Sequence, residues 1–191
     1  MQSEIHLEAL DTHTGGMPTR IVSSGLNRSM QARGSVKAQR DAFAEEQDDI
    51  RTLLVQEPRG HKDMFGAVPT VPADPDADFG LFFMDTGGYL DMCGHGTMGV
   101  VTALIETNRL EPDDVISIET PAGLVEARPE VADGRVERVG VQNVSSYVVD
   151  AVSLDVTVGG TERTIDADIV YAGNYFAMLE TDQGDMAVDT G

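Results

Sequence analysis

Apolar and polar positions alternate from Ile5 to Leu10 and again from Thr19 to Ser24, the two-residue period of strands. Between them lies Asp11-Thr12-His13-Thr14-Gly15-Gly16-Met17-Pro18, whose Gly-Gly and Pro mark a turn. From Ser35 to Leu54 the period lengthens, and Phe43, Ile50 and Leu54 fall on one face of a charged stretch, which predicts a single surface helix. Short strands are predicted around Phe65 to Val71 and Phe79 to Met84. Thr97 to Thr107, TMGVVTALIET, is apolar on nearly every side of a helical wheel, so a helix there belongs inside a core.

Beyond Val115 the pattern is β-rich. Runs at Val115 to Glu119, Leu124 to Arg128, Val136 to Gln142, Val152 to Val158, Glu162 to Ile165 and Ile169 to Tyr171 are separated by Pro121-Ala122-Gly123, Asp133-Gly134 and Gly159-Gly160. Hairpins connect this half, and no repeat, low-complexity tract or linker divides the chain. The expectation is one α+β domain over residues 1–191, with mostly antiparallel strands around a buried central helix. Asn174 and Tyr175 are expected to cap or pack a strand end, before a polar tail ending Asp189-Thr190-Gly191.

Composition narrows the partners. A formal charge of −20 argues against nucleic-acid phosphates and anionic membranes, both of which attract a basic face. Only Lys37 and Lys62 are lysines; with loops such as Asp74-Pro75-Asp76-Ala77-Asp78, this reads as a surface adapted to high salt, or simply as an acidic soluble protein. No apolar run approaches a membrane helix, and the N-terminus lacks the basic and apolar regions of a signal peptide. One cysteine cannot form an internal disulfide, and a cytoplasmic location is expected.

Candidate chemistry gathers at Met92-Cys93-Gly94-His95-Gly96-Thr97-Met98-Gly99. From Gly94 to Gly99 it spells GxGxxG, with a helix after it and Glu119 downstream, as in a dinucleotide site. Two features weigh against that reading. Nine residues separate the strand near Met84 from Gly94, and the run Val115 to Glu119 turns into another strand instead of a crossover. The alternative centres on the thiol: Cys93 at the mouth of a helix beginning near Gly96 meets unpaired N–H groups and the positive dipole end, which favour thiolate. Glycines let the backbone approach a ligand, and the same N–H groups suit a carboxylate. The bland alternative is a buried cysteine acting as a small hydrophobe. Cys93 and His95 lack a second conventional ligand pair, so no metal site is expected. His13, Arg59 and His61 either touch substrate or merely shape loops, and Met17, Met92 and Met98 read as core filler.

The stretch MDTGGYLDMCGHGT from Met84 resembles the first catalytic motif of the proline racemase family. That family includes hydroxyproline epimerases and trans-3-hydroxyproline dehydratases. DTHTGGMPTRIV from Asp11, EPRGHKDMFGA from Glu57, ETPAGLVEA from Glu119 and DIVYAGNYFAM from Asp168 agree in order, so the resemblance spans nearly the whole chain. It implies a diaminopimelate-epimerase-like fold of two similar halves facing each other across the site, with no cofactor. Cys93 would be one of two bases on opposite faces of the substrate Cα. Gly94 and His95, with Gly96 in the same turn, would bind the substrate carboxylate, and Phe65 would line the pocket for the ring of proline or hydroxyproline.

The family's second half bears a motif of the type DRSPCGTG, and nothing like it occurs here. The chain therefore reads as an N-terminal half awaiting a C-terminal half or a complementary subunit. The absent second catalytic position, Cys or Thr, separates racemases and epimerases from dehydratases. A silent binding or subunit-interaction domain is the rival reading. A self-associated homodimer juxtaposing two Cys93 residues is a further arrangement, and exposed apolar surface is expected on an unpaired half.

Overall fold

The computed structural model describes residues 6–26 and 34–180. The start of the expected first strand at Ile5 and the polar tail at Asp189 lie outside the described residues. Contacts divide the chain into two compact units, 1–144 and 145–191, where the sequence pattern led to an expectation of one domain. Nothing in local composition marks the junction at Val144, because the break is one of tertiary contacts.

In the first unit β1 (Glu8–Thr14) and β2 (Met17–Ser24) form a hairpin across Gly15 and Gly16, both at positive φ, 59° and 94°. Two such residues in succession make a tight turn whose twist matches the strands, so the loop foreseen from Asp11 to Pro18 is mostly strand. Next come α1 (Val36–Glu46), α2 (Asp48–Val55), β3 (Phe65–Thr70), β4 (Phe79–Asp85), the two-residue β5 (Tyr89–Leu90) and α3 (Gly94–Glu106). The unit closes with β6 (Ile116–Thr120), β7 (Gly123–Ala132) and β8 (Arg135–Gln142). They make an eight-stranded sheet in the order β1-β2-β3-β4-β6-β7-β8, with β5 on β4. Pairing is antiparallel except for β2 with β3 and β4 with β6. Parallel neighbours need crossovers, and these supply the helices: α1 and α2 link β2 to β3, and α3 lies between β4 and β6.

The two crossovers cover opposite faces. Along β4, Leu81 and Phe83 pack with α3 residues Val100 and Val101, whereas Phe82 and Met84 pack with Phe43, Ile50, Leu54 and Val55 of α1 and α2. Alternate side chains thus enter different cores, which explains the unbroken apolar run of β4. α3 touches β1, β2 and β3 at one end of the sheet and β7 and β8 at the other. Seven strands laid flat would span about 29 Å at ~4.8 Å spacing, beyond a 13-residue helix about 20 Å long. The sheet is therefore curled.

The single surface helix expected from Ser35 to Leu54 is two helices that roof a sheet face. The chain breaks at Gln47 (φ −141°, ψ 29°), and Phe43, Ile50 and Leu54 are buried against the sheet. Ser35 caps α1, its hydroxyl accepting from the Ala38 N–H at 3.3 Å. Glu119 at the end of β6 ties this roof down. Its Oε1 accepts from the Val36 N–H at 2.9 Å, and Oε2 accepts from the N–H groups of Ala73 (2.6 Å) and Asp74 (2.9 Å).

The second unit is an antiparallel meander of β9 (Tyr147–Val158), β10 (Thr161–Tyr171) and β11 (Tyr175–Met178), ordered β11-β10-β9. The two strands expected from Glu162 to Tyr171 are one, irregular between Ile169 and Val170. Tyr147, Val148, Tyr175, Phe176 and Met178 are exposed, and Tyr171 stacks between Tyr147 and Tyr175 with centroids 5.5 and 5.1 Å away. Among the described residues no helix is long and apolar enough to cross a membrane.

Glu119 is 7% exposed and carries three backbone donors. Replacing it with alanine leaves the buried Val36 N–H and the part-buried N–H groups of Ala73 and Asp74 without that partner, and the expected loss is about 3 kcal/mol of unfolding free energy. Glu119→Gln, which keeps one carbonyl acceptor, is expected to lose less. Urea denaturation of both variants checks the order, and an unchanged midpoint for Glu119→Ala would remove Glu119 from this role.

Candidate active site

The site begins where β4 ends. Asp85 Oδ1 accepts from the N–H groups of Gly87 and Gly88, both at 2.8 Å, and the Asp85 N–H donates to the Gly88 carbonyl at 2.9 Å. The chain reverses there, and β5 pairs back on Phe83 and Met84. Arg51 of α2, buried at 7% exposure, grips this turn by donating to the carbonyls of Asp85 (2.9 Å) and Thr86 (3.2 Å). Arg40 of α1 donates to Asp91 Oδ1 at 2.7 Å, and the Ala122 N–H reaches the Asp91 carbonyl at 3.2 Å. The nine residues that fit a dinucleotide motif poorly are thus a pinned hairpin delivering Cys93.

Cys93 is the N-cap of α3, extended at φ −145° and ψ 111°. The helix starts at Gly94, two residues before the sequence expectation. The Cys93 carbonyl accepts from both the N–H of Thr97 (3.0 Å) and its hydroxyl (2.8 Å), so the cap is locked from within the first turn. Sγ makes no cap hydrogen bond with the first-turn N–H groups, and it lies 3.3 Å from His95 Nδ1 and 3.8 Å from Nε2.

The helix N-terminus was expected to favour thiolate, but the thiol is 7% exposed and burial pushes its pKa up to about 11. The Gly96 and His95 N–H groups oppose that rise, and the negative charge of Asp85 adds to it. Desolvation wins because a thiolate loses more hydration than two N–H groups return. Burial also holds the His95 imidazole below its ordinary pKa, against a hydrogen bond to the Pro18 backbone.

Three strands hold His95. The hydroxyl of Thr14 in β1 donates to the His95 carbonyl at 3.0 Å, Pro18 lies in β2, and Phe65 opens β3 edge-on to the imidazole, centroids 4.5 Å apart at 90°. Phe65 in turn pairs with Asp85 of β4 and Thr19 of β2.

The glycines divide their work. A Cβ at Gly96 would meet Phe83 Cε1 at 3.0 Å and Cys93 Sγ at 3.2 Å, and one at Gly99 would meet Thr12 Oγ1 at 2.7 Å. Gly94 has nothing within 4 Å on that side. Two of the three fingerprint glycines therefore serve contacts with the protein's own side chains, and the third faces open space.

Cys93, Gly94, His95, Gly96 and Phe65 come together as one group. Gly15 and Gly16 shape a turn, while Arg59 and His61 lie in an exposed loop where Arg59 lends its carbonyl to Arg20 (2.6 Å) and His61 Nδ1 sits 2.6 Å from the Lys62 carbonyl. Sequence reasoning missed Thr14, Asp85 and Arg51. The first two stand inside the quoted DTHTGG and MDTGG stretches, whereas nothing local singled out Arg51.

A family model described as proline racemase matches residues 9–190. The proline racemase of Clostridioides difficile is 41% identical over 182 residues, covering 93% of this chain and 52% of that protein. A 4-hydroxyproline 2-epimerase of Streptosporangium roseum is 43% identical over 186 residues, covering 94% and 54%. The chain spans about half the length of the curated relatives it matches. Among solved structures, a hydroxyproline epimerase from Agrobacterium vitis with bound trans-4-OH-L-proline superposes with a TM-score of 0.85 at 24% identity. That match covers 100% of this chain and 56% of the other. A probable proline racemase from Agrobacterium radiobacter K84 with bound carbonate gives 0.84 at 26% identity, covering 97% and 55%.

A folded-state pKa of about 11 against an ordinary 9.0 means that the fold prefers the neutral thiol. The stability contributed by its burial is full below pH 9.0 and is lost as pH rises through about 11. Thiolate ultraviolet absorbance, followed against pH in the folded chain and in urea, is expected to show that separation. One common inflection would contradict it.

Proposed function

The chain belongs to the proline racemase family, and on that footing we propose that it is the N-terminal catalytic half of a cofactor-independent proline racemase or hydroxyproline 2-epimerase. Cys93 is its base. The observation that carries the proposal is the grouping of Cys93, His95 and Phe65 at the start of α3, with the Gly94 side open.

The chemistry asks for a base strong enough to take a weakly acidic Cα proton. A thiol that resists ionisation yields a strongly basic thiolate once ionised, which suits that step. Gly94, His95 and Gly96 offer first-turn N–H groups to the substrate carboxylate, whose charge delocalises in the carbanion, and the positive end of the α3 dipole favours that anion. Phe65 lines the ring pocket.

Inversion needs a second group on the opposite face of Cα. A single base tends to return the proton to the side it left, and Cys93 is the sole cysteine of the chain. The second half supplies the opposing acid. Supporting such a partner, the meander of residues 147–178 exposes Tyr147, Val148, Tyr175, Phe176 and Met178. A single free cysteine also suits the reducing cytoplasm.

Joined to the C-terminal half of a family member, the chain is expected to exchange the α-proton of L-proline or trans-4-hydroxy-L-proline with solvent deuterium. Cys93→Ser should abolish that exchange, by a factor of about a thousand or more for a lost base of this kind. Undiminished exchange in Cys93→Ser would sink the assignment, and inversion by the 191-residue chain alone would remove the need for a second half.

A further inference from the structure

Cys93 Sγ makes no cap hydrogen bond with the first-turn N–H groups of α3. Its own S–H still needs an acceptor. The described residues place one beside it: His95 Nδ1 at 3.3 Å, nearer than Nε2 at 3.8 Å. With Nδ1 turned to the sulfur, Nε2 is the nitrogen left to donate to the Pro18 backbone, whose effect on this ring favours the protonated form. A donor Nε2–H in that position leaves the Nδ1 lone pair directed at sulfur. Phe65 against the ring and Thr14 on the His95 carbonyl hold that orientation.

We infer that Cys93 and His95 share one proton, the thiol donating to His95 Nδ1, so that the imidazole is the immediate acceptor that turns the buried thiol into a thiolate. The Sγ–H bond breaks and an Nδ1–H bond forms, giving thiolate and imidazolium with no net change of charge. Sγ then takes the substrate Cα proton, and Nδ1 releases its proton to solvent as the opposing acid recovers one. His95 is in this respect a positioning residue acting through Cys93.

Such a pair lets a desolvated thiol ionise without importing a lone charge into the core. Among the described residues the groups facing it are few. Asp85 of β4 is the charge that acts on the thiol, and Arg51 holds the Asp85 carbonyl. Asp91 is paired with Arg40, and Thr14, Pro18, Phe65 and Phe83 contribute no charge.

This inference rests on the role proposed for Cys93, but its test needs no turnover. Iodoacetamide alkylation of the single cysteine is followed against pH in the 191-residue chain and in His95→Asn, which keeps a polar group near Nδ1 without its basicity. With a shared proton, the wild-type rate has a pH-independent branch from about pH 7 to about pH 9, above the imidazole pKa and below that of the free thiolate. In His95→Asn the rate is expected to rise tenfold per pH unit throughout and to lie at least about tenfold lower at pH 7. The same log-linear profile in both chains would overturn the inference. A second reading uses the wild type alone: ring nitrogen-15 shifts should show an unprotonated Nδ1 and a protonated Nε2 in the neutral imidazole. A protonated Nδ1 would overturn the inference even if the variant fails to fold.

Discussion

The close approach of α3 to the strands around it is the constraint on which the rest depends. It exists because positions 96 and 99 lack side chains: a Cβ at either would press on Phe83 and Cys93 or on Thr12. With the helix seated that deeply, its first turn lies among strand residues from β1 to β4, and Cys93, His95 and Phe65 meet there although Phe65 is far away in sequence. A side chain at either glycine would lift the helix off its strands.

Around that seat, arginines do the joining. Arg51 links α2 to the turn before the cysteine, and Arg40 links α1 to Asp91. Arg20 takes both oxygens of Asp11 at 2.8 Å and also the carbonyls of Leu54 and Arg59. Its guanidinium holds the Asp11 carboxyl below its usual range. Each uses several donors of one planar group at once, a geometry an ammonium does not reproduce. Part of the arginine bias of the chain is therefore architectural, whatever the salt in which it lives.

Much of the site was legible in local sequence. The glycine-bracketed Cys93, the apolar run after it and the strand before it predicted a cysteine at a helix mouth, and the quoted stretches resembled one family in order. What escaped notice depends on distant chain. Gln47 breaks the helix between α1 and α2 without any Gly or Pro to announce it. Thr14 and His95 are 81 residues apart, and Arg51 lies 34 from Asp85. The thiolate expectation failed to foresee burial for the same reason: dipole and N–H groups are local, whereas the desolvation that outweighs them comes from the curled sheet closing over the helix end.

That closure has a chemical corollary. The thiolate, not the thiol, attacks peroxide, and the first oxidation product, sulfenic acid, needs room and water beside the sulfur. A sulfur kept protonated and 7% exposed at the rim of α3 offers neither. The arrangement that keeps Cys93 protonated thereby shields its sulfur from oxidation, and it does so in a sequence with no second cysteine to resolve a sulfenic acid.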